Sequence, residues 1–227
     1  MPTQTMQEAG YSCGINFGPD TVLREPEIAS AAMNVIANFA EIESAMGGLL
    51  AVMLSGASSP VVAMYNSLKA SGVQREAIKS VAQDVLDEDC YKLFLAIMKI
   101  YETCSSERNK IAHWSWGWAD EIPNALLLMS PKQRVLQRQD WESFFANWAG
   151  GRESGLNHPL PNYSDIIIYK ALDFQEVTVS LNRVASFVTH FHLVAQPNHA
   201  DLRQSGIDTL SNEPEIAAIL NVPKGKK

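Results

Sequence analysis

The chain has 227 residues, of which 46% are hydrophobic and 19% charged, a composition typical of a folded globular protein and not of a disordered one. Its formal net charge of −7 argues against a protein that coats nucleic acid. The three cysteines form neither a zinc pattern nor a disulfide framework, and the N-terminus lacks the features of a signal peptide. The cysteine pattern favours a reducing cytoplasm. No apolar run has the length that a bilayer requires, so we expect no membrane contact.

The first third of the chain predicts an arm followed by three helices. Residues 1–22 are rich in Gly, Thr, Gln and Pro and show little periodicity, so we expect a flexible N-terminal arm. From about Pro26 to Leu54, apolar residues recur at intervals of three and four, which predicts a long amphipathic helix. Two shorter helices are predicted over about 60–71 and 73–86.

A fourth helix is predicted to begin at the acidic turn Asp87-Glu88-Asp89, because negative side chains favour a helix N-terminus. Its apolar spacing places Leu95 and Tyr101 toward the core and Glu107 on the solvent face. We expect this helix to end near His113.

Charge is unevenly distributed along the chain. Residues 92–138 hold seven basic and four acidic side chains, whereas residues 1–91 hold four and eleven, and residues 139–227 hold seven and ten. The net-positive segment contains the end of the fourth helix. This distribution fits a local anion-binding site on an acidic protein.

Arg108, Asn109 and His113 lie at the end of this helix and are residue types that phosphodiester chemistry uses. Arg108 is a permanent cation whose planar donors fit phosphate oxygens, and His113 can give or take a proton near neutral pH. At about 100° per residue, Asn109 and His113 share a face within roughly 40°, whereas Arg108 and His113 are roughly 140° apart. That angle favours a cleft to which two copies of the chain contribute, so we expect a homodimer.

The arrangement Arg108-Asn109, three residues and His113 resembles the motif of the HEPN-domain family, as do the long first helix with FAEIESAMGGLL and the closing amphipathic helix. The resemblance implies a mainly α, HEPN-like bundle of four to five helices that dimerises. Many members are metal-independent ribonucleases of toxin, anti-phage or RNA-processing systems, with no cofactor. His113 is then the general acid or base, Arg108 stabilises the phosphorane and Asn109 orients a group or binds the phosphate.

Trp114, Trp116 and Trp118 alternate directly after the motif. With Lys110, the first two could contact RNA, since an aromatic platform contributes about 1–3 kcal/mol per stacked base. The interpretation that we favour is structural, with the tryptophans anchoring the chain where it leaves the helix or lying in a dimer interface.

Two short β-type runs follow, at residues 124–129 and 165–170. Turn signals at Ser130-Pro131 and a loop rich in Gly, Asn and Pro at residues 150–161 separate them. We therefore expect a small β-hairpin or sheet, inserted in the helical domain over about residues 122–171.

The last long helix is predicted from a capping box at Asp173 to about Ala195, which completes a helical domain over residues 23–196. Residues 197–227 are expected to form a polar tail, with a short helix at 213–220. The nearby residues His190, His192 and His199 match no recognised set of metal ligands, so we expect no metal site.

Two classes of function compete. The leading hypothesis is a ribonuclease of toxin–antitoxin or anti-phage defence type that cleaves RNA by attack of the 2′-hydroxyl, with RNA and an antitoxin or defence protein as partners. The alternative is a catalytically inactive HEPN-like dimer that binds a ligand, nucleic acid or protein. A further binding hypothesis is a small-molecule-binding bundle in which Arg108 holds an anion. HEPN toxins that pair with a nucleotidyltransferase antitoxin often carry Tyr two residues after the His; Ser115 stands there, which argues against that partner.

Overall fold

The computed structural model describes residues 4–55, 58–149, 159–196 and 200–221. Over these residues the protein is mainly helical, which confirms the predicted class, and a HEPN-like bundle stays a prediction. The helices are α1 (Thr21–Arg24), α2 (Pro26–Met53), α3 (Ser58–Ser67), α4 (Ser71–Val85), α5 (Glu88–His113), α6 (Pro131–Ala149), α7 (Ala171–Ala195), α8 (Ala200–Ser211) and α9 (Pro214–Leu220). The strands are β1 (Asn16–Phe17), β2 (Ser115–Trp118), β3 (Ala125–Met129) and β4 (Ile166–Lys170).

The chain divides into two compact units. The first unit comprises Met1–Ile36 and Ser106–Thr178, and the second comprises Ala37–Ser105 and Val179–Lys227. The range predicted for a single helical domain, residues 23–196, coincides with neither unit.

An antiparallel sheet in the order β1-β2-β3-β4 organises the first unit. All five residues of β3 are buried, which explains why this strand is apolar throughout instead of alternating. Leu127 pairs with Gly117 of β2 and with Ile168 of β4. Phe17 of β1 pairs with Gly117, where an added Cβ would lie 2.7 Å from the Phe17 ring. The pairing of the edge strand β1 with β2 therefore leaves little room for a side chain at position 117.

The N-terminal segment packs on this sheet. The backbone N–H of Met6 donates to the Ile166 carbonyl at 2.9 Å, and that of Ile168 donates to the Gln4 carbonyl at 3.0 Å. The Met6 side chain is fully buried. Within the predicted flexible arm, residues 1–22, the described residues thus include Gln4 and Met6, which bond to β4, and β1, which pairs with β2. Flexibility of the arm stays a prediction.

The predicted β-hairpin is only partly correct. β3 and β4 do pair in antiparallel fashion, but α6 begins directly after β3, so the connection between them is not a turn. The Gln133 N–H donates to Ser130 Oγ at 3.3 Å, and Pro131 is the first helical residue, so this Ser-Pro pair begins a helix. Of the predicted loop at 150–161, residues 150–158 lie outside the described part of the chain.

None of the described residues of α6 is buried. Its large aromatic side chains pack on one another, with the Trp141 ring centroid 5.7 Å from that of Phe144 and 5.5 Å from that of Phe145. The Ser-Pro pair at the start of this helix is also a common turn signal, and the helix has no buried apolar stripe. For both reasons the spacing of apolar residues did not predict α6.

Aromatic contacts between long helices form the core of the second unit. Phe39 of α2 stacks on Tyr101 of α5, with ring centroids 5.4 Å apart, and Phe94 of α5 lies 5.6 Å from Phe191 of α7. Tyr101 is buried as predicted, but Leu95 is 38% exposed, so its assignment to the core was wrong. Phe94 and Met98 occupy the core on either side of it.

The C-terminal segment contains more helix than its polar sequence predicts. α9 matches the helix predicted at 213–220, and α8, which precedes it, was not predicted. Arg203 of α8 forms an ion pair with Asp87 and donates to the sulfur of Cys90 at 3.3 Å. Residues 197–199 and 222–227 of the predicted tail lie outside the described chain.

α2 is the one helix among the described residues that is long and apolar enough to cross a membrane, judged by length and composition. This corrects the expectation that no run reaches such a length. Of its most apolar stretch, 44% is buried, and core helices of soluble proteins meet the same criterion, so this is weak evidence for a membrane span.

Candidate functional site

The motif lies where α5 ends and β2 begins. The indole N–H of Trp116 donates to the Ile111 carbonyl at 2.8 Å, and the backbone N–H of Trp114 donates to the Lys110 carbonyl at 2.9 Å. Carbonyls in the last turn of a helix lack partners within the helix, and the indole supplies one here. Trp116 thus anchors the exit of the chain from the helix, which is the structural role that the sequence favoured.

Arg108 and Asn109 are linked through their side chains. Nη1 of Arg108 donates to Oδ1 of Asn109 at 3.0 Å, and both residues are half-buried. His113 is the last residue of α5 and is exposed, and its imidazole forms no hydrogen bond with any other described residue. The motif therefore combines an oriented cation with an imidazole that is accessible to a substrate.

Glu107 is buried, contrary to its predicted place on the solvent face. Its Oε2 accepts a 2.6 Å hydrogen bond from the hydroxyl of Tyr169, and its Oε1 lies 2.7 Å from Nζ of Lys110. A buried carboxylate is tolerated when its oxygens are hydrogen-bonded and its charge is paired, and both conditions are met here. Burial, followed by this hydrogen bond, raises the pKa of Tyr169.

Lys110 and Trp114 line an open cleft with a volume of about 330 Å³ in the first unit. The rest of the lining comes from the N-terminal segment, the start of α6, the 3-10 turn Tyr163–Asp165 and β4. These parts of the chain contribute Thr5, Ser130, Gln133, Ser164, Asp165 and Ile167. The sequence predicted Lys110 and Trp114 as RNA contacts but not the groups that face them, because those groups are distant in sequence.

Asp165 is fixed at the rim of this cleft by its own turn. Nδ2 of Asn162 donates to Oδ2 of Asp165 at 2.7 Å, while Oδ1 of Asn162 accepts the Ser164 hydroxyl at 2.9 Å. Such Asx turns are a recurrent use of Asn next to Ser and Asp, so the sequence Asn-Tyr-Ser-Asp before the strand carried a signal for this feature. The turn holds a carboxylate within the same cleft as the Lys110 ammonium.

The structure thus brings the predicted site residues together in two groups. Arg108 and Asn109 are joined by a hydrogen bond, and Lys110 and Trp114 share the cleft. Neither His113 nor Trp116 is among the residues that line this cleft.

The histidines of α7 have structural hydrogen bonds. Nδ1 of His190 donates to the Ser186 carbonyl at 2.8 Å, and Nε2 of His192 donates to the Ala45 carbonyl at 3.0 Å. His199 lies outside the described residues. In the described ranges, no group of three or more His, Cys, Asp or Glu residues is arranged to hold a metal ion.

Comparison of the chain with protein-family models, with curated proteins and with solved structures gave no match. The residues and geometry of this chain therefore carry the functional argument.

Proposed function

We propose that this chain is a metal-independent RNA endonuclease of the HEPN type, acting in toxin–antitoxin or anti-phage defence as a cytoplasmic homodimer. The supporting observation is the end of α5, where Arg108 is oriented by Asn109 and His113 ends the helix with an exposed imidazole. These groups supply a phosphate-binding cation and an accessible proton-transfer group. RNA, a second copy of the chain, and an antitoxin or defence protein are the proposed partners.

In the proposed reaction, the 2′-oxygen of one ribose attacks the adjacent phosphorus and the bond from phosphorus to the 5′-oxygen breaks. His113 of one copy accepts the proton of the 2′-hydroxyl, and His113 of the second copy donates a proton to the leaving 5′-oxygen. Arg108 stabilises the negative charge that develops on the phosphorane. The products carry a 2′,3′-cyclic phosphate and a 5′-hydroxyl.

Two copies are proposed because one helix presents Arg108 and His113 in different directions. Five residues correspond to roughly 140° around a helix and to about 7.5 Å along it. A single phosphate does not readily contact both side chains of one chain at that separation. Two copies of α5 across a two-fold axis place the imidazole of each beside the guanidinium of the other.

A binding protein without catalytic activity is the second candidate. It is favoured by the internal engagement of two motif cations, since Arg108 donates to Asn109 and Lys110 pairs with Glu107. The Lys110 charge, compensated by Glu107, attracts phosphate less strongly than a free charge does. In that case RNA or another anion would bind at the end of α5 and remain intact.

Cleavage of matched RNA and DNA strands tests the proposal. The purified protein is incubated with a labelled RNA, with the DNA of the same sequence, and with both again in EDTA. The proposal predicts cleavage of the RNA alone, because DNA lacks the attacking hydroxyl, and no effect of EDTA. Equal cleavage of DNA contradicts it, and RNA that is bound but intact favours the binding protein.

A further inference from the structure

The cleft beside the end of α5 has the size of a small-molecule site. Its volume of about 330 Å³ falls within the range of roughly 300–1,000 Å³ that ligand pockets have. One aromatic side chain, Trp114, contributes to a lining that is otherwise mostly polar. A flat, polar-edged ring, such as a nucleobase, suits this combination better than an aliphatic ligand does.

Two charged side chains of the cleft keep hydrogen-bonding capacity for a ligand. The Lys110 ammonium has three donors, and one is directed at Oε1 of Glu107, 2.7 Å away. The Asp165 carboxylate accepts one hydrogen bond from Asn162, whereas an ionised carboxylate has about four lone-pair positions. The cleft therefore offers a cationic donor and an anionic acceptor.

We propose that this cleft binds a guanine base of the RNA substrate, an inference that rests on the proposed ribonuclease function. Guanine has an acceptor, O6, next to two donor groups, N1–H and the 2-amino group. Asp165 accepts from the two donors, Lys110 donates to O6, and the Trp114 ring stacks on the base. No other common base combines two adjacent donors with an acceptor on one edge.

The position of the cleft is compatible with a base next to the cleaved phosphate. Lys110 directly follows Asn109 in α5, about 100° around the helix from it, and Trp114 directly follows His113, the last residue of the helix. An α-helix with its side chains is about 10–12 Å across. One nucleotide can therefore place its base in the cleft and its phosphate at the motif.

Binding of mononucleotides to the wild-type protein tests the base contact without any substitution. Guanosine, inosine and adenosine 5′-monophosphates are titrated by calorimetry. Inosine lacks the 2-amino group, and adenine reverses the pattern at its 6-position. We expect guanosine to bind best, inosine less well, and adenosine at least about tenfold more weakly than guanosine. Equal affinities for the three would overturn the proposal.

The substitution Asp165→Asn should remove the preference for guanosine over adenosine, because it replaces one of the two acceptor oxygens by an NH2 donor that opposes a donor of guanine. Asp120→Asn, at an exposed acid outside the cleft, is the matched control and should retain the preference. RNA cleaved at all bases alike, with no selective nucleotide binding, refutes the cleft assignment but leaves the ribonuclease proposal intact. Selective, Asp165-dependent binding of guanosine monophosphate without RNA cleavage supports the cleft assignment and refutes the ribonuclease.

Discussion

The hydroxyl of Tyr169 donates a 2.6 Å hydrogen bond to the carboxylate of Glu107, joining β4 to the last turns of α5 within the first unit. Both side chains are buried, and the other oxygen of the carboxylate binds Lys110. The sheet and the motif are thus coupled through a carboxylate that periodicity alone assigns to solvent. The free energy of unfolding and the geometry of the candidate site should both depend on the Glu107 carboxylate.

Replacing Tyr169 by Phe should lower the free energy of unfolding by about 1–3 kcal/mol, because a buried carboxylate oxygen loses its donor. Urea denaturation measures the change. Tyr163→Phe is the control, since its hydroxyl donates to the neutral Cys13 carbonyl from a half-buried position and should contribute less. Equal losses for the two variants would contradict a special role for the Glu107 contact.

Replacing Lys110 by Met should also destabilise the protein by about 1–3 kcal/mol, because Glu107 then keeps its charge without the ammonium. The additional substitution Glu107→Gln should recover part of the loss, as a double-mutant cycle measures. Lys92→Met, at an exposed lysine paired with Glu88 and Asp89, should stay within about 1 kcal/mol of wild type. Additive effects of Lys110→Met and Glu107→Gln on the free energy of unfolding would refute the coupling between these two side chains.

The raised pKa of Tyr65 leads us to expect that the folded protein loses stability at alkaline pH. Burial, followed by the negative charge of Glu43, raises the pKa of Tyr65 to about 12. An unfolded tyrosine ionises near pH 10. Between these values the unfolded chain releases a proton that the folded chain retains, so stability present below about pH 10 is lost as the pH rises toward 12. Tyr65→Phe should reduce the pH dependence measured by denaturation at pH 9 to 12, and an unchanged slope argues against it.

Ser106→Cys should give disulfide-linked dimers if the motif helices lie at a two-fold axis. Ser106 is exposed, and its spacing of three and seven residues places it on the face of Asn109 and His113. Ser143→Cys, exposed on α6, is the control and should cross-link weakly. Light scattering supplies the mass of the native protein. A monomer at micromolar concentration, or linkage only through position 143, refutes the proposed dimer.

Local pattern predicted the elements that bury a regular apolar stripe. α2, α5 and α7 follow apolar residues spaced by three and four, and the apolar runs of β3 and β4 were recognised as strands. These elements could be predicted because the apolar residues of each buried face form a pattern within the element's own sequence.

Features that depend on distant residues were not predictable in this way. β1 has two residues and exists through its pairing with β2, about 100 positions later. α6 lacks a buried face, so its helical state left no periodic signal. Of the candidate site, the motif residues were found from sequence, whereas Glu107 and Asp165 became evident only through Tyr169 and the cleft.

The central claim is tested most directly by RNA cleavage with wild type, His113→Ala and His190→Ala. The first substitution removes the exposed imidazole of the motif and the second removes a half-buried imidazole that donates to the Ser186 carbonyl. Loss of general acid–base catalysis costs about 10²–10⁴-fold, so His113→Ala should lose at least a hundredfold in rate while His190→Ala keeps its activity. Wild-type products should end in a 2′,3′-cyclic phosphate and a 5′-hydroxyl. Products with a 5′-phosphate, or full activity in His113→Ala, would contradict the account.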